Sequence, residues 1–297
     1  MQYEPEYDGR ADGVGAFAAT LTERAVVRVT GPDRKTFLQA LITNNIDALS
    51  SDRGLYAALL TPQGKILFEF FVVELDGELL LDCASIHAAA LAARLALYRL
   101  RAQVEIALAP QMQVAVLWLE KGGDVERPSG VRLAAFVDPR LADLGVRLIG
   151  TQDVLAHTVG KVDGAVVPPI VYKNFVRLRG LPDSVDLPPD SVFALDAGLE
   201  ELSGVDFKKG CYVGQEVTAR MKHRANARKR FFLAETQGPV PQPGTPILSQ
   251  GREIGIFGTG NGMKALALVR VDHWTEPNLA TPLGQKLKLV KPEWLNI

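Results

Sequence analysis

Residues 55–82 leave this chain little freedom. Two apolar runs, 55–60 and 65–73, flank Thr61-Pro62-Gln63-Gly64, a turn signal with proline second and glycine fourth. The second run faces a third, 78–82, across Asp76-Gly77, a dipeptide suited to the positive φ angles of a tight hairpin. Strands joined this way form an antiparallel meander.

The flanking segments supply helices and more strands. Residues 25–29 alternate as a strand, and Gly31-Pro32-Asp33 opens a helix with Phe37, Leu38, Leu41 and Ile42 on one face. Ser85 is placed to cap a helix running from 86 to about 101. Ile86, Leu91, Leu95, Tyr98 and Leu100 form its apolar side, and Arg94, Arg99 and Arg101 favour its C-terminal half. Short strands are predicted at 113–119, 131–137 and 146–149, a helix start at Thr151, and helix from Tyr172 to Arg179. Pro182, Pro188 and Pro189 make 182–190 a connector of fixed path. From about 228, short β-like runs (231–235, 253–257, 264–271 and 286–290) alternate with glycine and proline, as in a small barrel. The division expected is 1–227 and 228–297.

With 47% hydrophobic residues among 297, the chain can bury more than one core. Its net charge of −1 gives no general pull toward nucleic acid or anionic membrane. No apolar stretch approaches the ~18 residues of a membrane span. The two cysteines, Cys83 and Cys211, form neither a disulfide framework nor, by themselves, a four-thiolate metal site. They suit a reducing compartment. The segment Met1 to Asp8 is acidic and has no secretory or transit-peptide pattern, so a cytoplasmic location is expected.

Residues 204–216, Gly-Val-Asp-Phe-Lys-Lys-Gly-Cys-Tyr-Val-Gly-Gln-Glu, concentrate unusual chemistry. Gly210 would let the backbone turn or approach a neighbour. Lys208 and Lys209 place positive charge near Cys211, which favours its thiolate and makes it the candidate reactive group. Gln215 and Glu216 offer an amide and a carboxylate, suited to a donor-rich edge such as a pterin ring. The plainer alternative is a buried cysteine in a glycine-rich turn with solvated lysines.

Lys209-Gly-Cys-Tyr-Val-Gly-Gln-Glu216 resembles the signature of the YgfZ family, folate-binding relatives of the aminomethyltransferase of the glycine cleavage system. Phe37–Ile46, Tyr56–Lys65, Tyr172–Pro182, Phe193–Phe207 and Gly255–Val271 resemble further segments of that family, so the resemblance covers nearly the whole chain. Three positions depart from the pattern. Glu69 stands where aspartate is usual, Ala194-Leu195 precede Asp196 in place of a proline and a polar residue, and Ala225 replaces a common glycine.

The resemblance implies an α+β fold: a ferredoxin-like part interwoven with a second α+β part, closed by a C-terminal β-barrel. It implies tetrahydrofolate, or a one-carbon derivative, in a central channel. It also implies a role in assembly or repair of iron–sulfur cluster proteins, tRNA-modifying enzymes included, with those enzymes or the assembly machinery as partners. In that reading Cys211 is the reactive thiol and Lys209 poises it. Gln215 and Glu216 orient the loop or the folate, Arg177 faces the glutamate tail and Asn44 lines the channel. Two other readings stay open. One is a folate-dependent aminomethyltransferase or demethylase in which Cys211 has no part. The other is a scaffold that binds cluster proteins through the barrel or the basic run.

The basic run, 220–230, carries six lysines and arginines plus His223. It reads either as a solvated linker or as an anion-attracting edge. Without aromatics inside it, direct RNA binding by stacking is not expected. Gly258-Thr-Gly-Asn-Gly262 reads as a hairpin turn rather than a phosphate loop, and Cys83 as a structural residue. The four histidines show no metal-ligand spacing.

Overall fold

The computed structural model describes residues 15–123, 125–129, 132–223 and 228–297. The chain begins as β1 (Ala16–Thr20) and crosses at once to another sheet. That sheet is made by β2 (Arg24–Thr30), α1 (Arg34–Gln39), β3 (Leu55–Leu60), β4 (Ile66–Leu75), β5 (Glu78–Ala84), α2 (Ser85–Tyr98) and β6 (Glu105–Leu108). Its order is β3-β4-β5-β2-β6. With β3 set aside at one edge, β2-α1-β4-β5-α2-β6 is the ferredoxin-like β-α-β-β-α-β arrangement. The meander is present, and Asp76 and Gly77 take the positive φ angles of its hairpin, 50° and 79°.

The chain then returns to β1. After β7 (Met112–Leu119), β8 (Ala134–Val137), β9 (Val146–Thr151), α3 (Gln152–Val159), β10 (Gly164–Val166) and α4 (Pro169–Leu178), the first sheet reads β10-β1-β7-β9-β8, with β1 and β10 parallel. One sheet is thus inserted within the other, the interweaving expected of an α+β chain. Helix α5 (Gln215–His223) precedes β11 (Lys229–Thr236), β12 (Pro246–Ser249), β13 (Arg252–Asn261), β14 (Lys264–Arg270) and β15 (Leu287–Val290). These form a third sheet, β12-β13-β14-β11-β15. Ala280 bridges Leu248 of β12 and Lys286 beside β15, closing that sheet into a barrel.

Period-two alternation places the core. Along β3, Leu55, Ala57 and Leu59 pack against α1 and α2, while Tyr56, Ala58 and Leu60 face the other sheet. Both faces are covered, so the run is apolar throughout. Phe231, Leu266 and Leu268 carry the barrel into the same central core. The barrel is also tied down by polar contacts. The backbone N–H and hydroxyl of Thr259 donate to Asp186 at 2.6 and 2.9 Å, and the Trp294 indole donates to the Arg179 carbonyl at 2.8 Å.

Several details differ from the sequence reading. Ser85 lies inside α2 and makes no capping bond. Ile86 and Leu100 face solvent, because Ile86 lies off the Leu91–Leu95 stripe and the helix ends before Leu100. Strands β1, β6, β10 and β12 were not anticipated. Gly262, at φ 59°, does sit in a hairpin between β13 and β14. The departure at Ala225 and the reading of Met1 to Asp8 fall outside the described residues.

Candidate functional site

Residues 204–216 form a loop pinned at three points against α1 and β3. At its start, Thr43 accepts from Ala58 N–H at 2.9 Å and donates to the Gly204 carbonyl at 2.6 Å. Asn44 Nδ2 donates to the carbonyls of Tyr56 and Ser203, both at 2.7 Å. In the middle, Lys209 is only 6% exposed, and its Nζ donates to the carbonyls of Gln39, Ile42 and Asn44 at 2.7, 2.6 and 2.9 Å. Burial pushes that ammonium down to about 8, against the pull of Asp206 and Asp47. At its end, Gly214 has φ +82° and would bring a Cβ to 2.6 Å from the Thr61 carbonyl, so only glycine fits.

Between the second and third anchors stands Cys211, exposed on a loop whose neighbours are fixed. Tyr212 is buried under it, with the Lys209 ammonium 5.2 Å from its ring centre. The glycine requirement lies at Gly214 rather than Gly210, around which a Cβ would meet nothing within 4 Å. Lys209 spends its donors on the last residue of α1 and the turn that follows it, so its effect on Cys211 is positional, whereas Lys208 is exposed. Gln215 and Glu216 open α5, with Glu216 in its first turn, where an acid suits the helix dipole. Asn44 clamps the loop with both amide donors and also lines a cleft of about 670 Å³ with Asp206, Phe207 and Lys208.

A second cluster lies between the sheets, and sequence reading missed it. Asp82 Oδ1 accepts from Arg24 Nε at 2.6 Å, and its Oδ2 accepts from Arg147 Nε at 3.1 Å. Asp138 holds Arg140 in a two-pronged pair, with Nε at 3.0 Å and Nη2 at 2.8 Å. Arg24 also reaches Glu69 at 3.3 Å, and Glu69 accepts from the Ser184 hydroxyl. Phe71 sits among the three guanidinium groups; those of Arg147, Arg140 and Arg24 lie 3.9, 4.9 and 5.6 Å from its ring centre. Burial works against the Asp82 charge, but Arg147 and Arg24 outweigh it and hold the carboxyl below its ordinary range. Asp138 is held low in the same way, chiefly by Arg140. The signal available in sequence was a set of charges inside strand patterns: Arg24 in β2, Glu69 in β4, Asp82 in β5 and Arg147 in β9.

The cluster borders a small cavity between both sheets and the barrel, with Glu69 on its wall and Lys173 and Arg177 also lining it. Arg177 is held there by Asn174 at 2.6 Å and by Thr259 of the barrel at 3.4 Å. The structure therefore splits the expected site. Cys211, Lys209, Gln215 and Glu216 share the anchored loop, Arg177 lines the cavity, and no residue of 204–216 does.

Two interleaved sheets closed by a barrel define the aminomethyltransferase-like fold. The chain matches the structure of glycine cleavage system aminomethyltransferase T from Bartonella henselae with a TM-score of 0.74 at 16% identity, covering 95% of this chain and 87% of that one. Residues 228–297 match the family described as the CAF17 C-terminal beta-barrel domain. The mouse protein named iron–sulfur cluster assembly factor IBA57, mitochondrial, is 34% identical over 314 residues, which span 96% of this chain and 87% of the mouse protein. Its human namesake is 33% identical over 280 residues, 86% of this chain and 77% of that protein. The chain belongs to the IBA57 family of iron–sulfur cluster assembly factors. These relatives are named as mitochondrial, which overturns the cytoplasmic location read from the N-terminal residues and the cysteine count.

Proposed function

We propose that this protein acts in iron–sulfur cluster assembly by offering Cys211 as one ligand to a cluster whose remaining ligands come from another protein. The observation that supports this is the contrast between the two cysteines. Cys83 is buried in β5 and its thiol is pushed up to about 12 by burial, while Cys211 is exposed on an anchored loop. A cluster takes about four ligands, usually thiolates, so one available cysteine can hold it only jointly. Binding as a thiolate releases the Cys211 proton. Lys209, Thr43 and Gly214 keep the loop in place while that happens. The partner is a cluster-carrying protein of the assembly machinery or a cluster enzyme, tRNA-modifying enzymes among them on the strength of the YgfZ resemblance.

The test is the activity of [4Fe–4S] enzymes in cells that carry Cys211→Ser in place of the native chain. Loss of those activities, with the variant present at normal level and melting as the wild type does, is expected. Retention would remove the thiol from the mechanism and favour a scaffold.

Tetrahydrofolate finds groups of the right kind in the central cavity: a carboxylate at Glu69 and cations at Lys173 and Arg177. That cavity is small for it, whereas the cleft of about 670 Å³ lies beside Asn44, Asp206 and Lys208. The cavity holds about 50 Å³ for the centre of a water molecule, against roughly 300 Å³ or more for sites of drug-sized ligands. Arg24, Arg140 and Arg147 line it beside Phe71. Folate binding in that cavity is a second reading that requires this wall to open. Titration of the purified protein with tetrahydrofolate decides it: saturable heat lost in Arg177→Ala supports the reading, and a flat titration at millimolar ligand ends it.

A further inference from the structure

Helix α2 covers the ferredoxin-like sheet with Ala88, Leu91 and Leu95, and its other side carries a second apolar seam. Ile86, Ala90, Ala93 and Leu97 follow one another in steps of four, three and four residues, the spacing by which one helix presents a stripe to another, and Leu100 follows just past the helix end. All five are exposed, with Ile86 at 73%, Leu97 at 71% and Leu100 at 88%. Leu100 also has φ +45°, a conformation that costs a branched apolar residue energy, and no burial compensates for it. A groove of about 390 Å³, lined in part by Ala89, Leu108 and Met112, opens beside the first turn of the helix.

Arg94 lies beside this seam and Arg101 follows its last residue in sequence, while Arg99 continues the Leu91–Leu95 side. All are exposed, and among the described residues none is in an ion pair. Their place near the helix C-terminus suits its dipole, which accounts for the charge but not for the apolar stripe beside it.

We propose that this face of α2 docks an acidic amphipathic helix of another protein. Alanines in the middle of the seam let a second helix approach closely, while Ile86, Leu97 and Leu100 grip its ends. Carboxylates flanking the partner's apolar stripe would pair with Arg94 and Arg101. A bilayer gains little from alanines, so the seam suits a helix better than a lipid surface. A two-fold pairing with a second copy of this chain would set Arg94, near the middle of the seam, beside its own counterpart, and like charges disfavour that. Because the inner face of α2 is already packed, the surface is preformed and binding needs no folding of this side. This docking does not depend on Cys211.

The probe is a fluorescent designed helical peptide with leucines at heptad spacing flanked by glutamates, compared with the same peptide carrying lysines instead. Micromolar binding of the acidic peptide to the full chain, weakened by salt, is expected, with the lysine peptide at least about tenfold weaker. Leu97→Glu and Arg94→Gln should each weaken binding by about tenfold or more and lower Tm by no more than about a few degrees, because both side chains are exposed and only a helix-end charge is altered. Equal binding of both peptides, binding of neither, or binding indifferent to these variants overturns the proposal. Two other results also overturn it. Co-sedimentation with vesicles of roughly one third phosphatidylserine, in the absence of peptide binding, would assign the face to a membrane. A concentration-dependent dimer abolished by Leu97→Glu would assign it to a second copy.

Discussion

Lys208 and Lys209 are indistinguishable in the sequence, yet one is solvated and the other is among the few buried charges of the chain. The difference is the presence of three carbonyl oxygens from Gln39, Ile42 and Asn44, at and just after the end of α1, which no local pattern announces. Lys209→Met should therefore cost stability, about 2–3 kcal/mol for lost charge-assisted bonds, measured by urea unfolding. Lys209→Arg should not restore it, because a planar guanidinium cannot serve acceptors grouped around a point charge. The glycines tell a similar story. The sequence marks Gly210 and Gly214 alike, but φ and contact distance separate them. Gly214→Ala should lose roughly 1–3 kcal/mol, and Gly210→Ala should melt within a degree or so of wild type. Cys83 was legible as structural because it closes an apolar strand. In the folded protein only Cys211 should react with a thiol reagent, and both cysteines should react after denaturation.

Elements were legible where pattern and packing agree. The hairpin at Asp76-Gly77 follows from local backbone preference and needs no help from the rest of the fold. The apolar runs of β3 and β4 follow from burial on two faces. What failed was the choice of face on α2, where two apolar stripes compete and only one meets a sheet. Strand β12 escaped notice because Pro246 opens it, and a proline is tolerated there because β12 is the last strand of its sheet, paired within it only with β13. The barrel's attachment was also hidden, since Asp186 lies in a proline-rich connector and its partner Thr259 in a bulged strand. Asp186→Ala should loosen that contact by about 2 kcal/mol. The expected readout is a thermal transition that broadens or splits, with the barrel's Trp274 fluorescence changing first.

Across the whole molecule, the two sheets meet over a buried network of three arginines and three carboxylates, which satisfies itself so completely that little room is left beside it. Removing one member should cost more than the pair contributes, because a buried partner is left uncompensated. Arg147→Met is expected to lower stability at neutral pH by about 3–5 kcal/mol. The pH dependence has a definite sign. Asp82 and Asp138 are held below the ordinary carboxylate range in the folded state. Their contribution is therefore present above the unfolded value of about 3.9 and is lost as pH falls through their lower folded values. Without Arg147 those folded values rise, so acid unfolding followed by circular dichroism should begin at higher pH.

Interleaving the sheets also sets a schedule for synthesis. Strand β1 leaves the ribosome with its neighbours β7 and β10 still unmade, and β2 to β6 must all be translated first. At roughly 5–20 residues per second, β1 waits for seconds with both edges bare. Its sequence, Ala-Phe-Ala-Ala-Thr, has little to offer a passing strand. The same modesty that kept β1 from being recognised in the sequence lets a newborn chain keep it unpaired until its place exists.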